Sequence, residues 1–457
     1  MNSNNSTAPA DQKEPTLRRV LGLWDLVFYG IVLIQPIAAI GLFGIASKVS
    51  HGHMVTTLMI AMVGMGLTAL SYGRMAAKHP TAGSAYIYVG KGLNTYLGFM
   101  AGWVMFLDYL IVPVINTIYG SLTLARLVPS VPFVIWALLF IVLVTLVNLR
   151  GIRTTARSNE ILLAIMTIVI MFFIVLAIKY IYSDDGWSGV FSFKPLYNPE
   201  TFNFAAVMTA TSFAALTYIG FDGVTTLAED VKNPKKNMLL APVLVCIFTG
   251  LFSGLQIYLA QRVWPDYNTF PNLETAFYDV AERVGGKILF NAIAAILFIA
   301  CFGSAVAGQV GASRLLFSMG RDGVLPKKIF GRLNKKSNTP TNNIVIMGGL
   351  TVIGALALDY RTAAELLNFG AFLAFMGVNI ATFRQFCFLR PTTEKRKIFF
   401  DMVLPLSGFL VCFAIWISLP NYAKLLGSIW FVIGFVYLVI KTNRFKEKPV
   451  MFDFNET

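Results

Sequence analysis

Apolar stretches recur along the whole chain, each about twenty residues long, which is the length that one α-helix needs to cross a bilayer. In hydrocarbon, every backbone N–H and C=O group must be hydrogen-bonded within the protein, and a continuous apolar stretch satisfies this requirement as a helix. Only 13% of the 457 residues are charged, about half the share found in an ordinary soluble domain. The sequence therefore predicts an all-α polytopic membrane protein.

The apolar stretches divide into about twelve predicted spans, each close to the length of a bilayer-crossing helix. We expect a single transmembrane domain over 17–440, a polar, disordered tail at 1–16 and a second tail at 441–457. The start of the chain lacks the features of a signal peptide that is removed. The predicted spans are 22–46, 54–77, 95–122, 130–149, 159–182, 204–228, 238–261, 285–313, 342–358, 363–383, 402–420 and 424–440.

Basic residues are distributed unevenly between the loops. The formal net charge is +14, and most of the 37 lysine and arginine residues fall in loops on the same predicted side as the N-terminus. Cytoplasmic loops of membrane proteins carry such an excess. We therefore expect both termini in the cytoplasm and the protein in the plasma or inner membrane. The positive charge indicates orientation in a lipid bilayer, and it does not predict a nucleic-acid partner.

Motifs for catalysis or metal binding are missing from the sequence. It contains no hydrolase elbow, no phosphate-binding loop and no H-E-x-x-H. His51 and His53 form an H-x-H after the first span, but no acid or cysteine stands beside them, and we expect plain surface histidines. The four cysteines lie in apolar spans without metal-ligand spacing. We predict no enzyme, no metal and no cofactor.

Two of the predicted spans are interrupted near their centres. The first contains Gln35-Pro36, where proline removes a backbone donor. The sixth contains Gly220-Phe221-Asp222-Gly223, where glycine lowers the cost of leaving helical geometry. One break alone would predict only a kink. Two breaks five spans apart place the second group of five spans in the opposite sense across the membrane.

Interrupted helices at equivalent positions of two inverted halves are typical of the central site of a secondary transporter. On this pattern we expect a first repeat over about 20–182, a second over about 204–384 and two extra helices over about 402–440. The repeat is inferred from topology, because the two halves share no clear residue-level identity.

Asp222 lies near the middle of its predicted span, where a carboxylate costs about 2.5–3.5 kcal/mol. The ends of two half-helices would supply it with polar partners, and burial would favour its uptake of a proton. We therefore predict that Asp222 acts in proton coupling. Glu229 stands near the end of the same span beside several lysines, and it is either part of a gate or a solvated helix end.

Asp108 lies midway along the third predicted span, beside Tyr109. Two interpretations remain open for this acid. It is a buried structural carboxylate satisfied by a neighbouring serine or tyrosine, or it faces a cationic amine substrate, to which Tyr109 would add a cation–π contact.

Four long motifs resemble the amino acid–polyamine–organocation permeases, in order and over nearly the whole chain. They are 69–103, beginning "ALSYGRMAAKHPTAGSAY", 218–238, "YIGFDGVTTLAEDVKNPKKNM", 312–343, beginning "ASRLLFSMGRDGVLP", and 366–383, "LLNFGAFLAFMGVNIATF". The stretches 98–116 and 219–230 are similar to those of bacterial putrescine importers in particular.

The resemblance implies a five-plus-five inverted repeat of the leucine-transporter type, followed by two further helices. It also implies alternating access, with proton coupling or exchange, and a substrate site at the two breaks. The implied substrate residues in the first span are Gln35, Pro36, Ile37, Ala38 and Ala39, and those in the sixth are Phe213, Leu216, Tyr218, Ile219, Gly220, Phe221 and Asp222.

Two departures from the family pattern bear on the substrate and on coupling. Many members have glycines at the first break whose bare amides hold a substrate carboxylate, whereas this chain has "QPIAA". A diamine has no carboxylate and would not need those glycines. Some proton-coupled members have a lysine in the fifth helix where this chain has Met166. An acid must then carry the proton, with Asp222 as the first choice and Asp108 as the second.

The sequence thus predicts a secondary transporter that imports a polyamine of the putrescine type or an amino acid, with proton coupling. An amino acid exchanger of the same family is the alternative. A channel would need a continuous polar pore, and the spans contain isolated acids instead. A non-transporting sensor would be expected to carry a signalling domain, which the short tails do not supply.

Overall fold

The computed structural model describes residues 21–35, 37–80, 84–150, 156–321, 325–334, 339–389 and 397–447. The predicted tail at 1–16 and most of the tail at 441–457 lie outside these residues. The described residues form fifteen α-helices and no β-sheet. The helices are α1 (Leu23–Ile34), α2 (Phe43–Val49), α3 (Met54–Lys78), α4 (Ser84–Gly92), α5 (Thr95–Leu127), α6 (Phe133–Leu149), α7 (Ala156–Val190), α8 (Phe204–Ala214), α9 (Pro234–Val263), α10 (Ala276–Arg321), α11 (Lys327–Phe330), α12 (Thr341–Ala357), α13 (Tyr360–Cys387), α14 (Leu404–Ile417) and α15 (Asn421–Lys441).

The number of membrane crossings agrees with the sequence prediction. Within the described residues, nine helices are long and apolar enough to cross a bilayer. Four shorter apolar helices add three further crossings, because Leu23–Ile34 and Ile40–Val49 together form one interrupted span. The outward faces of α6, α7 and α15 expose large apolar side chains, among them Ile168, Leu143 and Val432. Such faces are stable only against hydrocarbon, which confirms the polytopic all-α prediction.

Two helices run well beyond their predicted bounds. The prediction ended the fifth span at residue 182, but α7 continues to Val190 through a kink at Gly186. The eighth was expected at 285–313, but α10 extends from Ala276 to Arg321 with a kink at Gly286. Both extensions contain polar residues. A hydropathy pattern ends where the apolar residues end, whereas a helix can continue into the polar region beyond the hydrocarbon.

Contacts between loops and helix termini define one end of the helix bundle. The amide of Lys232 donates to the carbonyl of Leu21 at 2.8 Å, which joins the start of the first span to the end of the sixth. Arg74 at the end of α3 forms an ion pair with Asp401 before α14. We call this the basic end, because the loops that meet here are those rich in lysine and arginine.

The opposite end of the bundle is held by other contacts, and we call it the far end. Lys48 after the first span donates to Asn268 before α10 at 2.5 Å. Nε2 of His53 accepts from the backbone N–H of Asn198 at 3.0 Å, and Nδ1 of His53 lies 3.0 Å from the carbonyl of Ser50. His53 is therefore fully buried, and the prediction of a surface histidine is wrong for this residue. Both ring nitrogens are occupied by the protein itself.

The last helix is fixed to the third span by two tryptophans. The indole N–H of Trp103 donates to the carbonyl of Trp430 at 3.0 Å, and that of Trp430 donates to the carbonyl of Trp103 at 3.1 Å. The two rings stack with centroids 4.9 Å apart. Gly434, one turn further along α15, allows this close approach because it has no side chain. The pair holds α15 against the wall of the central cavity described below.

Replacing Gly434 by alanine is expected to destabilise the protein by about 2 kcal/mol, the typical cost of overpacking a filled site. A Cβ atom there would lie 2.2 Å from Cδ1 of Trp103. Chemical unfolding of the purified protein in detergent measures the effect. Gly349→Ala in α12 is the matched control, since no atom lies within 4 Å of its Cβ position. Equal destabilisation by both changes would show that the Trp103 contact is not the cause.

Candidate functional site

The first span is interrupted as predicted. α1 ends at Ile34, and a short 3₁₀ turn at Ile40–Leu42 precedes α2. Gln35 adopts a φ of +62°, in the left-handed region that residues other than glycine rarely occupy. Its side-chain Nε2 donates to the carbonyl of Ala300 in α10 at 3.3 Å, which anchors the break to a neighbouring helix. Pro36 lies outside the described residues.

The sixth span is interrupted at the same depth of the fold. α8 ends at Ala214 and passes through a 3₁₀ turn to Tyr218, after which Gly220 adopts a φ of +117°. A second 3₁₀ segment, Phe221–Asp230, then continues to the basic end. Only glycine adopts such a φ without strain. The break places Asp222 close to the amino end of the second segment, where a carboxylate is favoured by the exposed N–H groups.

The two breaks border a central cavity of about 650 Å³. α5, α10 and α13 supply most of the remaining wall. Two carboxylates, Asp108 and Asp222, line the cavity. None of the described residues that line it is a lysine, an arginine or a histidine. The cavity is therefore suited to a ligand that carries positive charge.

The two acids differ in how their oxygens are satisfied. Oδ2 of Asp222 accepts from the hydroxyl of Ser84 at 3.1 Å, and this side chain is only 8% exposed. Oδ1 of Asp108 is buried and has no hydrogen-bond partner among the described residues. A buried carboxylate oxygen without a donor is costly. Of the two acids, Asp108 is thus the one that a ligand donor would satisfy.

The cavity is closed at the far end by three contacts that follow one another along α5. The rings of Tyr119 and Tyr360 pack with centroids 4.9 Å apart, and both residues are buried. The next turn brings the hydroxyl of Thr123 to 2.7 Å from that of Tyr278. At the end of the helix, Arg126 forms an ion pair with Asp279. We call these three contacts the roof.

The cavity opens in the other direction, towards the basic end. Tyr109 and Leu33, which line it there, are 40% and 42% exposed. Thr226 in the second half of the sixth span lines the same opening and is also exposed. The structure therefore describes a central cavity that is accessible from one end of the bundle and closed at the other.

The predicted substrate residues divide into two groups. Those that line the cavity are Gln35, Ile37, Ala38, Asp108, Tyr109, Leu216, Ile219, Gly220 and Asp222. Those that do not line it are Ala39, Phe213, Tyr218 and Phe221. Tyr218 instead donates its hydroxyl to the carbonyl of Leu58 at 2.8 Å, and Phe221 packs against Tyr72 and Phe375. The break turns these two side chains into the packing behind the site, and a substrate role for the second group stays a prediction. The side chain of Glu229 lies outside the described part of the structure.

Several polar residues at the cavity did not emerge from the sequence, among them Ser84, Asn116, Tyr119 and Tyr360. Asn116 and Tyr119 lie eight and eleven residues after Asp108 in an apolar stretch, a spacing that places polar groups along one helix. That signal was available in the sequence. Ser84 and Tyr360 are the first residues of α4 and α13, far away in the chain, and no local pattern connects them to the site.

The family model described as amino acid permease matches residues 21–447 of the chain. The chain belongs to this amino acid permease family. It is 31% identical over 447 residues to the low-affinity putrescine importer PlaP of Escherichia coli strain K12, covering 97% of this chain and 98% of that protein. It is also 27% identical over 461 residues to the branched-chain amino acid permease BcaP of Lactococcus lactis, covering 94% and 96%.

The solved structure of MhsT in complex with L-phenylalanine has the same fold. The match has a TM-score of 0.52 and 14% identity, and it covers 90% of this chain and 98% of MhsT. This confirms the leucine-transporter type of architecture that the family resemblance implied. Together with the family, it confirms that the permease is a multi-pass membrane transporter of small amines or amino acids and not an enzyme.

Proposed function

We propose that the permease imports a polyamine of the putrescine type by alternating access, coupled to protons. The observation that carries the proposal is the charge of the cavity, where two carboxylates and no basic side chain line the described wall. A substrate with two ammonium groups balances both carboxylates. The similarity to the low-affinity putrescine importer of Escherichia coli supports the same substrate class.

The shape of the cavity supports alternating access. The roof closes the far end, and the opening lies at the basic end. Both interrupted spans border the site, so each can bend at its break without unfolding the helices on either side. A channel on the same fold would need a path through the roof, where the tyrosine rings are buried.

An amino acid is the second candidate substrate, and one observation favours it. Ala38 lines the cavity directly before the 3₁₀ turn that begins the second half of the first span. The amino end of a helix attracts a carboxylate. Another observation weighs against a carboxylate at this position. The backbone N–H of Ala38 already donates to the carbonyl of Gln35 at 3.0 Å and is not available to a substrate carboxylate. Exchange of one amino acid for another is the alternative mode of transport for this substrate.

A competition assay in proteoliposomes tests the substrate proposal. Vesicles with an inward proton gradient are offered labelled putrescine and a mixture of labelled amino acids side by side. We expect accumulation of putrescine that collapses when a protonophore is added. Uptake of amino acids alone would overturn the polyamine proposal. Putrescine uptake that is indifferent to the protonophore would overturn proton coupling only.

We also propose that the basic end faces the cytoplasm, as its lysines and arginines indicate. In a variant without native cysteines, Asp184→Cys at the far end is expected to react with a membrane-impermeant maleimide on intact cells. Lys91→Cys at the basic end is expected to react only after permeabilisation. Both positions are exposed in the structure. The reverse pattern would invert the proposed orientation.

A further inference from the structure

Asn116 lies on the same helix as Asp108 and lines the same cavity. It stands eight residues further along α5, about two helical turns closer to the roof. Nothing in the sequence pattern of the family motifs singled it out. The cavity thus has an acidic region near its opening and an uncharged polar region under the roof.

The orientation of the Asn116 amide is fixed by its neighbours. Its Nδ2 group donates to the carbonyl of Val112 at 2.8 Å and to the hydroxyl of Ser304 in α10 at 3.0 Å. Both N–H groups of the amide are therefore used. The opposite orientation would place the amide oxygen against the Val112 carbonyl, where two acceptors repel each other. Only the side-chain carbonyl oxygen of Asn116 remains available to a ligand, and this oxygen accepts hydrogen bonds.

We propose that Asn116 binds the second ammonium group of a substrate whose first ammonium group is held by Asp108. The acceptor recognises a donor and disfavours a carboxylate, because two acceptors repel. The ligand is thus a linear α,ω-diamine, aligned along α5 with one amine near the opening and the other beneath Tyr119 and Tyr360. This assignment rests on the proposed function and adds the direction and length of the substrate.

The spacing on α5 sets a length for the diamine. The Cα atoms of Asp108 and Asn116 are about 12 Å apart along the helix axis, from a rise of 1.5 Å per residue. A hydrogen bond of about 3 Å joins each ammonium nitrogen to its acceptor, and both hydrogen bonds take up part of this separation of about 12 Å. About 6 Å then remains between the two nitrogens, which matches an extended diamine of four methylene groups. A three-carbon diamine cannot reach both, and a monoamine uses only one.

The test compares diamines with monoamines of equal length. Purified wild type and Asn116→Leu are titrated with putrescine and with n-butylamine, and with longer homologues of each. Loss of a hydrogen bond to a charged group is expected to weaken diamine binding by about tenfold or more. Binding of the monoamine is expected to change by less than about threefold. A fall of equal size for both ligands would overturn the inference and assign Asn116 to packing.

Asn148→Leu is the matched control for the packing role. Asn148 also joins its helix to α10, through Gln309 at 2.6 Å and the carbonyl of Val306 at 3.2 Å, but it does not line the cavity. Its substitution should lower thermal stability and leave the ratio of diamine to monoamine affinity at the wild-type value. Asn116→Asp keeps an acceptor at the site and should restore the preference for the diamine. An Asn116→Asp ratio as low as that of Asn116→Leu would also overturn the inference.

The failure of this inference can be told apart from failure of the proposed function. A wild type that binds diamines, combined with an unchanged ratio in Asn116→Leu, overturns the role of Asn116 alone. A wild type that binds no amine at all overturns the polyamine proposal and the role of Asn116 together.

Discussion

Replacing Asp108 by asparagine is expected to weaken the binding of putrescine by roughly a hundredfold. The estimate corresponds to about 3 kcal/mol, within the range for removing one partner of a buried, hydrogen-bonded charge pair. Asparagine has almost the same shape, so the change removes the negative charge and little else. Equilibrium binding to the purified protein, with a diamine and a neutral amino acid compared side by side, measures the effect.

The stability of the empty protein separates the two interpretations of Asp108. Its Oδ1 has no partner among the described residues, so Asp108→Asn breaks no visible hydrogen bond there, and the melting temperature should not fall. Asp401→Asn is the control, since this buried acid is paired with Arg74 and lies outside the cavity. It should lower stability strongly and leave the diamine preference intact. If Asp108→Asn behaves like Asp401→Asn, Asp108 is a structural acid.

Replacing Asp222 by asparagine is expected to abolish accumulation of substrate against its gradient while exchange continues. Asp222 stands at the break of the sixth span and accepts from Ser84, which lies at the start of α4 near the basic end. Loss or gain of a proton on this carboxylate would change the strength of a contact between two elements that move apart in the proposed alternating-access cycle. Asparagine can still accept that hydrogen bond but cannot change its charge.

Two assays on the same proteoliposomes check the prediction for Asp222. Uptake driven by an imposed pH gradient should fall to the level of empty vesicles, whereas counterflow of labelled for unlabelled putrescine should persist. Burial lowers the pKa of His79, and Lys91 lowers it further, so the environment of this histidine disfavours its uptake of a proton. Gradient-driven accumulation that survives in Asp222→Asn would exclude Asp222 from coupling.

Much of the fold could be predicted from the sequence because the bilayer imposes strict rules. The length of apolar stretches determined the spans, and the two breaks were marked by Pro36 and by Gly220. The ends of α7 and α10 were less predictable. There the helix leaves the hydrocarbon, and polar residues such as Asp279 support it through tertiary contacts that no local pattern reveals.

The site was predictable where it depends on a break and less so where it depends on packing. Gln35, Asp108 and Asp222 all line the cavity. They could be predicted because each carries a polar group in the middle of an apolar span. Tyr218 and Phe221 stand at the sixth-span break too, yet the direction of a side chain at a break depends on φ values such as that of Gly220. Sequence position alone could not assign those two to the packing behind the site.

The charge balance of the cavity has an electrical consequence. With Asp108 and Asp222 ionised and no basic side chain on the described wall, the empty carrier holds two negative charges within the membrane field. A bound dication cancels both, and in the proposed cycle the proton on Asp222 leaves the loaded carrier with one positive charge. Each elementary charge carried across the whole field is worth about 2.3 kcal/mol per 100 mV. A membrane potential that is negative inside would therefore favour both the inward step of the loaded carrier and the return of the empty, negatively charged site to the outside.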